Sequence, residues 1–93
     1  MTTVYRRADS FDHEEFDDEL VLMEIESQAV VTLNATGRMV WEALEGGATL
    51  EEIGDLFQRG FSDADPEDIR RDIQVVLDTL LTAGLASADA AKS

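Results

Sequence analysis

Cysteine is absent from this 93-residue chain. That excludes disulfides, thiolate nucleophiles and zinc sites built on Cys. Histidine occurs once, at His13, and basic residues are scarce: seven Lys and Arg stand against 21 Asp and Glu, for a net charge of −14. Such a balance opposes docking on nucleic-acid phosphates or an anionic membrane surface, both of which need a basic face. Only a local basic patch is conceivable, at the adjacent pairs Arg6-Arg7 and Arg70-Arg71. No apolar run approaches the roughly 20 residues of a bilayer span, and MTTVYRRADS lacks the apolar stretch of a secretory signal. The expectation is a cytoplasmic protein that contacts neither nucleic acid nor membrane.

What is there is a core. Hydrophobic residues make up 44% of the chain, too many for a disordered polymer. The length predicts one domain, and a domain of this size has little interior to give to a deep pocket. The boundaries expected are a folded unit over 1–86 and a flexible tail over 87–93, where SADAAKS ends the chain in small polar residues.

Val4–Arg7 has the character of a short strand. The densely acidic segment 9–19, DSFDHEEFDDE, reads as a surface loop because like charges repel and solvate, with Phe11 and Phe16 pinning it to the body. Residues 20–26, LVLMEIE, and 29–33, AVVTL, flank a polar Ser27-Gln28 break and predict a β-hairpin. The period then changes. Asn34 is a suitable helix N-cap, Val40, Trp41 and Leu44 share a helical face, and Gly46-Gly47 ends that helix. Thr49 with Glu52 forms a capping-box pattern before the stripe Leu50, Ile53, Leu56 and Phe57; Gly60 stops this helix, and Phe61 should fold back onto the core. Asp65-Pro66 opens the longest helix, whose core stripe is Ile69, Ile73, Val76, Leu77 and Leu80, with Gly84 beyond its end. The order predicts an α+β domain of two or three strands followed by three helices, a winged-helix-like arrangement.

No residue set carries catalysis. His13 lies near Asp12, Glu14 and Glu15, but one histidine among carboxylates matches no metal-ligand spacing. The acidic segment lacks the glycine and the spaced oxygens of a calcium loop. Glu51-Glu52 and Glu67-Asp68 sit in first helical turns, where capping and the helix dipole account for them. Gly46-Gly47 is not a phosphate loop. No catalytic residue, metal ligand or cofactor is expected. A DNA-binding winged helix would need a basic third helix, whereas Arg70 and Arg71 are outnumbered there by Glu67, Asp68, Asp72 and Asp78.

A peptide partner fits better. A sheet of few strands leaves an edge whose free N–H and C=O groups can pair with an extended chain. The candidate edge is Ala29, Val30, Val31, Thr32 and Leu33, which carries no charge. Two coverings compete for it: the N-terminal strand, or a second copy in a homodimer. On the third helix Arg70, Gln74, Leu77 and Leu81 recur at i, i+4, i+7 and i+11, a ridge that widens the apolar face and is the candidate far wall of a groove.

The run Leu33–Ile53, LNATGRMVWEALEGGATLEEI, together with Asp72-Ile73 through Leu77, Leu80, Leu81 and Gly84-Leu85, resembles the PqqD-like family over roughly residues 18–86. The resemblance implies a winged-helix-like α+β fold, a three-stranded antiparallel sheet followed by three helices, and a non-catalytic recognition element that binds the leader segment of a ribosomally made precursor peptide as an added strand. It would present that leader to a modifying enzyme, either a leader peptidase or a synthetase, as a monomer or weak homodimer. Val30 and Val31 stand where members of the family often carry aromatics, so the leader pocket should differ in shape. The Leu-Asn-Ala-Thr-Gly and Val-Trp wording resembles the lasso peptide type. The alternatives are a peptide chaperone in pyrroloquinoline quinone synthesis and a homodimeric interaction protein. On this reading Val31→Pro should weaken leader binding by removing an edge donor or disturbing the strand, and Arg70→Glu should do so by reversing a rim charge; leader titration calorimetry on each folded variant measures both.

Overall fold

The computed structural model describes residues 2–90. Strand β1 (Thr3–Arg7) leads to β2 (Phe11–Phe16), β3 (Glu19–Glu24) and β4 (Val30–Leu33). Helix α1 (Ala35–Ala43) follows, then the two-residue β5 (Ala48–Thr49), α2 (Leu50–Gly60), α3 (Pro66–Thr82) and a last strand β6 (Ala86–Ala90). The strands form two antiparallel three-stranded sheets, ordered β2-β3-β4 and β5-β1-β6.

The α+β reading holds, with a three-stranded antiparallel sheet, β2-β3-β4, ahead of three helices; in place of the single sheet expected there are two, because the N-terminal strand β1 pairs with β5 and β6 instead of joining the hairpin. Two segments differ from expectation. The acidic stretch is strand β2, paired with β3 along its whole length. Alternation resolves its charge: Asp12 and Glu14 lie across from Met23 and Val21, so neither acid faces another acid across the ladder. On the opposite face Phe11 meets Trp41 edge-on at 4.9 Å between centroids, and Glu15 pairs with Arg38. Phe11 does pin this segment to the body, whereas Phe16 is 54% exposed. The second difference is β6. Residues 87–90, whose composition suggests a flexible tail, pair in register with β1 from Arg6↔Ser87 to Thr3↔Ala90. Small residues give no periodic signal, and the ladder to β1 supplies what their side chains do not. The remainder of the expected tail, 91–93, lies outside the described residues.

The core is built from Leu20, Leu22, Val31 and Leu33 of the β3–β4 pair, Val40, Trp41 and Leu44, Ile53 and Phe57, and Ile69, Ile73, Leu77 and Leu80, with Leu85 beneath. Two expected members stay outside: Leu56 is 47% and Phe61 49% exposed, although Phe61 lies 6.1 Å from the Phe57 ring. Helix starts follow their caps. Asn34 Oδ1 accepts from Gly37 N at 2.9 Å; Thr49 and Glu52 exchange both bonds of a capping box; Asp65 Oδ1 accepts from Glu67 N at 2.8 Å. Gly37 has a second role, since a Cβ there would stand 3.0 Å from Leu33 Cδ2; its absence lets α1 close onto β4. Gly46 and Gly47 turn the chain out of α1 at φ +82 and +93. Arg7 bridges the two sheets' supports: its guanidinium lies 4.8 Å over the Trp41 ring, and its Nε donates to Trp41 O at 3.0 Å.

Asn34 is the joint between β4 and α1, so removing its cap should be felt by both. Asn34→Ala is expected to cost about 1 kcal/mol, read as a lower urea midpoint with an unchanged slope.

Candidate peptide-binding groove

The β3–β4 register sets which backbone groups are free. Leu20↔Leu33, Val21↔Thr32, Leu22↔Val31 and Met23↔Val30 are partners, and Glu24 N donates to Ala29 O at 2.9 Å. In an antiparallel ladder bonded and non-bonded pairs alternate. Glu24 with Ala29 is therefore a bonded pair, as are Leu22 with Val31 and Leu20 with Leu33. The N–H and C=O groups of Val30 and Thr32 then point away from β3, and no strand among the described residues pairs with that side of β4. The N-terminal strand does not cover this edge; β1 pairs with β5 and β6 instead.

Side chains alternate on the same rhythm. Val31 and Leu33 are buried and Val30 and Thr32 exposed. The turn into β4 is closed locally: Gln28 takes a positive φ of 62 and its N–H donates to Glu24 O at 2.9 Å. The Ser27 backbone N–H, and after it the Ser27 hydroxyl, hold the Glu24 carboxyl below its ordinary value. That contribution is present at neutral pH and is lost only as pH falls through the lowered value.

Beside the open edge runs a shallow groove of about 510 Å³, lined by Ala29 and Val31 on the strand side and by Asp78, Thr79, Thr82 and Ala83 of α3 and its end on the other. Both walls are made of small side chains, which is why space remains between them. A chain laid along β4 would bond to Val30 and Thr32, and its alternate side chains would enter this groove.

The candidate residues divide. Ala29, Val30, Val31, Thr32 and Leu33 come together as the edge strand and its turn, with Leu33 at 4% exposure acting from beneath. Those from α3 do not join them as expected. At about 100° per residue, Arg70, Gln74, Leu77 and Leu81 fall on one side of the buried stripe Ile69, Ile73 and Leu80, while Thr79 and Ala83 fall on the other. The structure turns the second side toward β4. Arg70 lines a groove with Leu50, Glu51 and Gly54 of α2, and another with Thr3 and Tyr5 of β1. Leu77 is fully buried and Leu81 partly so, packed against the core. Gln74 touches the groove indirectly, donating from Nε2 to Asp78 Oδ1 at 3.0 Å. Periodicity finds the two flanks of a helix without choosing between them. The signal that favours the other flank is size: Thr79, Thr82 and Ala83 are small where a groove needs room.

His13 stands in β2 with its ring 5.9 Å from Phe11, and no group of three or more His, Cys, Asp or Glu able to hold a metal is found among the described residues. No helix among them is long and apolar enough to cross a membrane.

The family profile described as coenzyme PQQ synthesis protein D (PqqD) matches residues 19–86. The chain belongs to the PqqD family. That span agrees with the resemblance carried by the Leu33–Ile53 run and the Leu-rich third helix. Among solved structures the chain is similar to "TbiB1 in complex with the TbiA(beta) leader peptide", with 28% identity, a TM-score of 0.76, and coverage of 94% of this chain and 99% of that one. It is also similar in fold to "lasso peptide synthetase B1 complexed with the leader peptide", at 22% identity and a TM-score of 0.72, over 89% of this chain and 96% of that one. No curated protein matches significantly.

The register makes two prolines diverge. Val31 N–H belongs to the ladder with Leu22, so Val31→Pro should destabilise the fold itself by losing that bond and leaving the Leu22 carbonyl unpaired, about 1–3 kcal/mol. Val30 N–H faces the open edge, so Val30→Pro should leave the unfolding midpoint close to wild type. Urea denaturation of the two variants checks the assignment; equal losses of stability would show that the edge groups are misassigned.

Proposed function

We propose that this PqqD-family protein binds the leader segment of a ribosomally made precursor peptide as a strand added to β4, and presents it to a leader peptidase or another modifying enzyme of a lasso peptide pathway. The observation that carries the reading is the unpaired Val30–Thr32 edge lying alongside a groove of small side chains. The 28% identical structure, covered almost end to end, is a complex with a leader peptide, which supports the same occupant here; the Leu-Asn-Ala-Thr-Gly and Val-Trp wording favours a lasso pathway over pyrroloquinoline quinone synthesis.

In mechanism the protein does no chemistry and needs no cofactor. Val30 and Thr32 offer two donors and two acceptors to the leader backbone, each bond contributing about 0.5–1.5 kcal/mol net. Those bonds are blind to sequence. Selectivity falls to the leader side chains that enter between Val31 and Thr79, Thr82 and Ala83, where added bulk would clash and a missing side chain would leave a void. Asp78, oriented by Gln74, stands at the rim of that groove as a charged contact. Leu33, Leu77 and Leu81 support the walls from the core. Ordering a flexible leader against this edge also fixes the position of whatever follows it, which is how a binder raises the rate of a separate enzyme.

Titration of the leader from the neighbouring precursor gene should give saturable heat, with NMR shift changes centred on Val30–Thr32 and Thr79–Ala83. Thr79→Arg, which fills the groove, should weaken binding by at least tenfold, about 1.4 kcal/mol, whereas Arg70→Glu should change it little. Absence of heat and of shift changes would overturn the reading. A tight dimer by light scattering that leader fails to dissociate would instead assign the β4 edge to a second copy.

A further inference from the structure

The groove uses only one face of the β2-β3-β4 sheet. On the other face the register brings Asp12, Met23 and Val30 into one cross-strand row and Glu14, Val21 and Thr32 into the next, with Phe16 opposite Glu19 at the end. These residues share one pleat face because their neighbours point inward: Phe11 to Trp41, Glu15 to Arg38, and Leu20, Leu22, Val31 and Leu33 to the core. Val30 is 60% and Phe16 54% exposed, and a surface hollow of about 360 Å³ is bounded by Asp12, His13, Glu14, Val21, Met23 and Val30. Thus an apolar strip of Val21, Met23 and Val30 runs beside a row of carboxylates. No Lys or Arg occurs in any of the three strands, and none of the ion pairs found among the described residues engages Asp12 or Glu14.

We propose that this outer sheet face docks the modifying enzyme, through an enzyme surface with an apolar centre and a Lys or Arg rim. Charge complementarity selects that occupant: at −14 overall, a second copy would set Asp12 and Glu14 against carboxylates of its own kind. The inference rests on the leader-binding reading in one respect. A strand added to β4 bonds opposite Val30 and Thr32, and the leader side chains at those positions emerge on this same face. The enzyme therefore meets a surface that is three strands wide without leader and four strands wide with it, so loaded protein is distinguished from empty protein at the point of docking.

The probe is the purified leader peptidase encoded in the same gene cluster, bound to immobilised full-length protein with and without leader. Asp12→Lys combined with Glu14→Lys should slow association about tenfold and flatten its salt dependence, with leader affinity within about twofold of wild type. Asp12→Asn with Glu14→Gln should give a smaller loss in the same direction, and serves if the reversal variant folds poorly. Met23→Lys should raise the dissociation rate. Leader should tighten wild-type docking. Unchanged enzyme kinetics in the folded variants would overturn the proposal, as would a wild-type dimer that Met23→Lys abolishes. Should the leader fail to bind while the charge variants still lose the enzyme, the docking face stands and the peptide reading falls; the converse pattern condemns the docking face alone.

Discussion

The pairing of β3 with β4 is the constraint on which the rest of the structure depends. Its register sends Leu20, Leu22, Val31 and Leu33 into the core, and a one-residue slip of β4 against β3 would turn Val31 and Leu33 to solvent. Burying each such side chain contributes about 1.5–3 kcal/mol, so the register is held more firmly than the backbone bonds of the ladder alone could hold it. The same alternation that buries Val31 exposes Val30, and the same ladder that uses the Val31 amide leaves those of Val30 and Thr32 free. Stability and the binding edge are thus two consequences of one pairing. The edge need not be ordered by its ligand, because the core has already ordered it, and little conformational entropy remains to be lost on binding at β4.

An open edge is a hazard as well as a site, since any extended chain can pair with it. The two edges of this sheet are handled differently. At one, β2 carries Asp12, Glu14 and Glu15, which keep other strands away by charge and desolvation. At the other, β4 is uncharged but short, and α3 stands beside it. A chain approaching β4 must fit alternate side chains into the space left by Thr79, Thr82 and Ala83. The helix converts an indiscriminate edge into a selective one. The acidic surface elsewhere adds long-range repulsion between copies, which disfavours pairing of one β4 edge with another.

Much of this was legible in the sequence, and the failures are instructive. The caps at Asn34, Thr49 and Asp65, the glycine exits and the buried stripe of α3 are local signals, each set by a few adjacent residues, and each reappears in the structure. The hairpin was readable from its β-branched runs, and the edge strand from its want of charge. The acidic segment misled because a count of charge ignores parity: alternate residues of DHEEF leave on opposite faces, and only the partner strand reveals which acids are neighbours. Strand β6 was invisible because its small residues bring no side-chain signal to a ladder whose partner, β1, lies at the other end of the sequence. The flank of α3 could not be chosen from α3 itself. Its own periodicity is satisfied equally by Arg70 and Gln74 on one side or Thr79 and Ala83 on the other, and the choice is made by where α2 and β4 pack.

That last point bears on how function is divided across the helix. The flank carrying Arg70 faces α2 and β1, where long polar side chains cover a seam between elements. The flank carrying Thr79 and Ala83 faces an edge without a permanent partner. Filling it with bulky apolar residues would have stabilised the free protein by closing the groove, and closing the groove would have removed the site. The small side chains therefore mark stability forgone, and their position beside unpaired backbone tells where a ligand restores it. On the proposed reading a peptide of suitable shape that completes the sheet supplies the missing contacts, so affinity and selectivity would arise from the same vacancy.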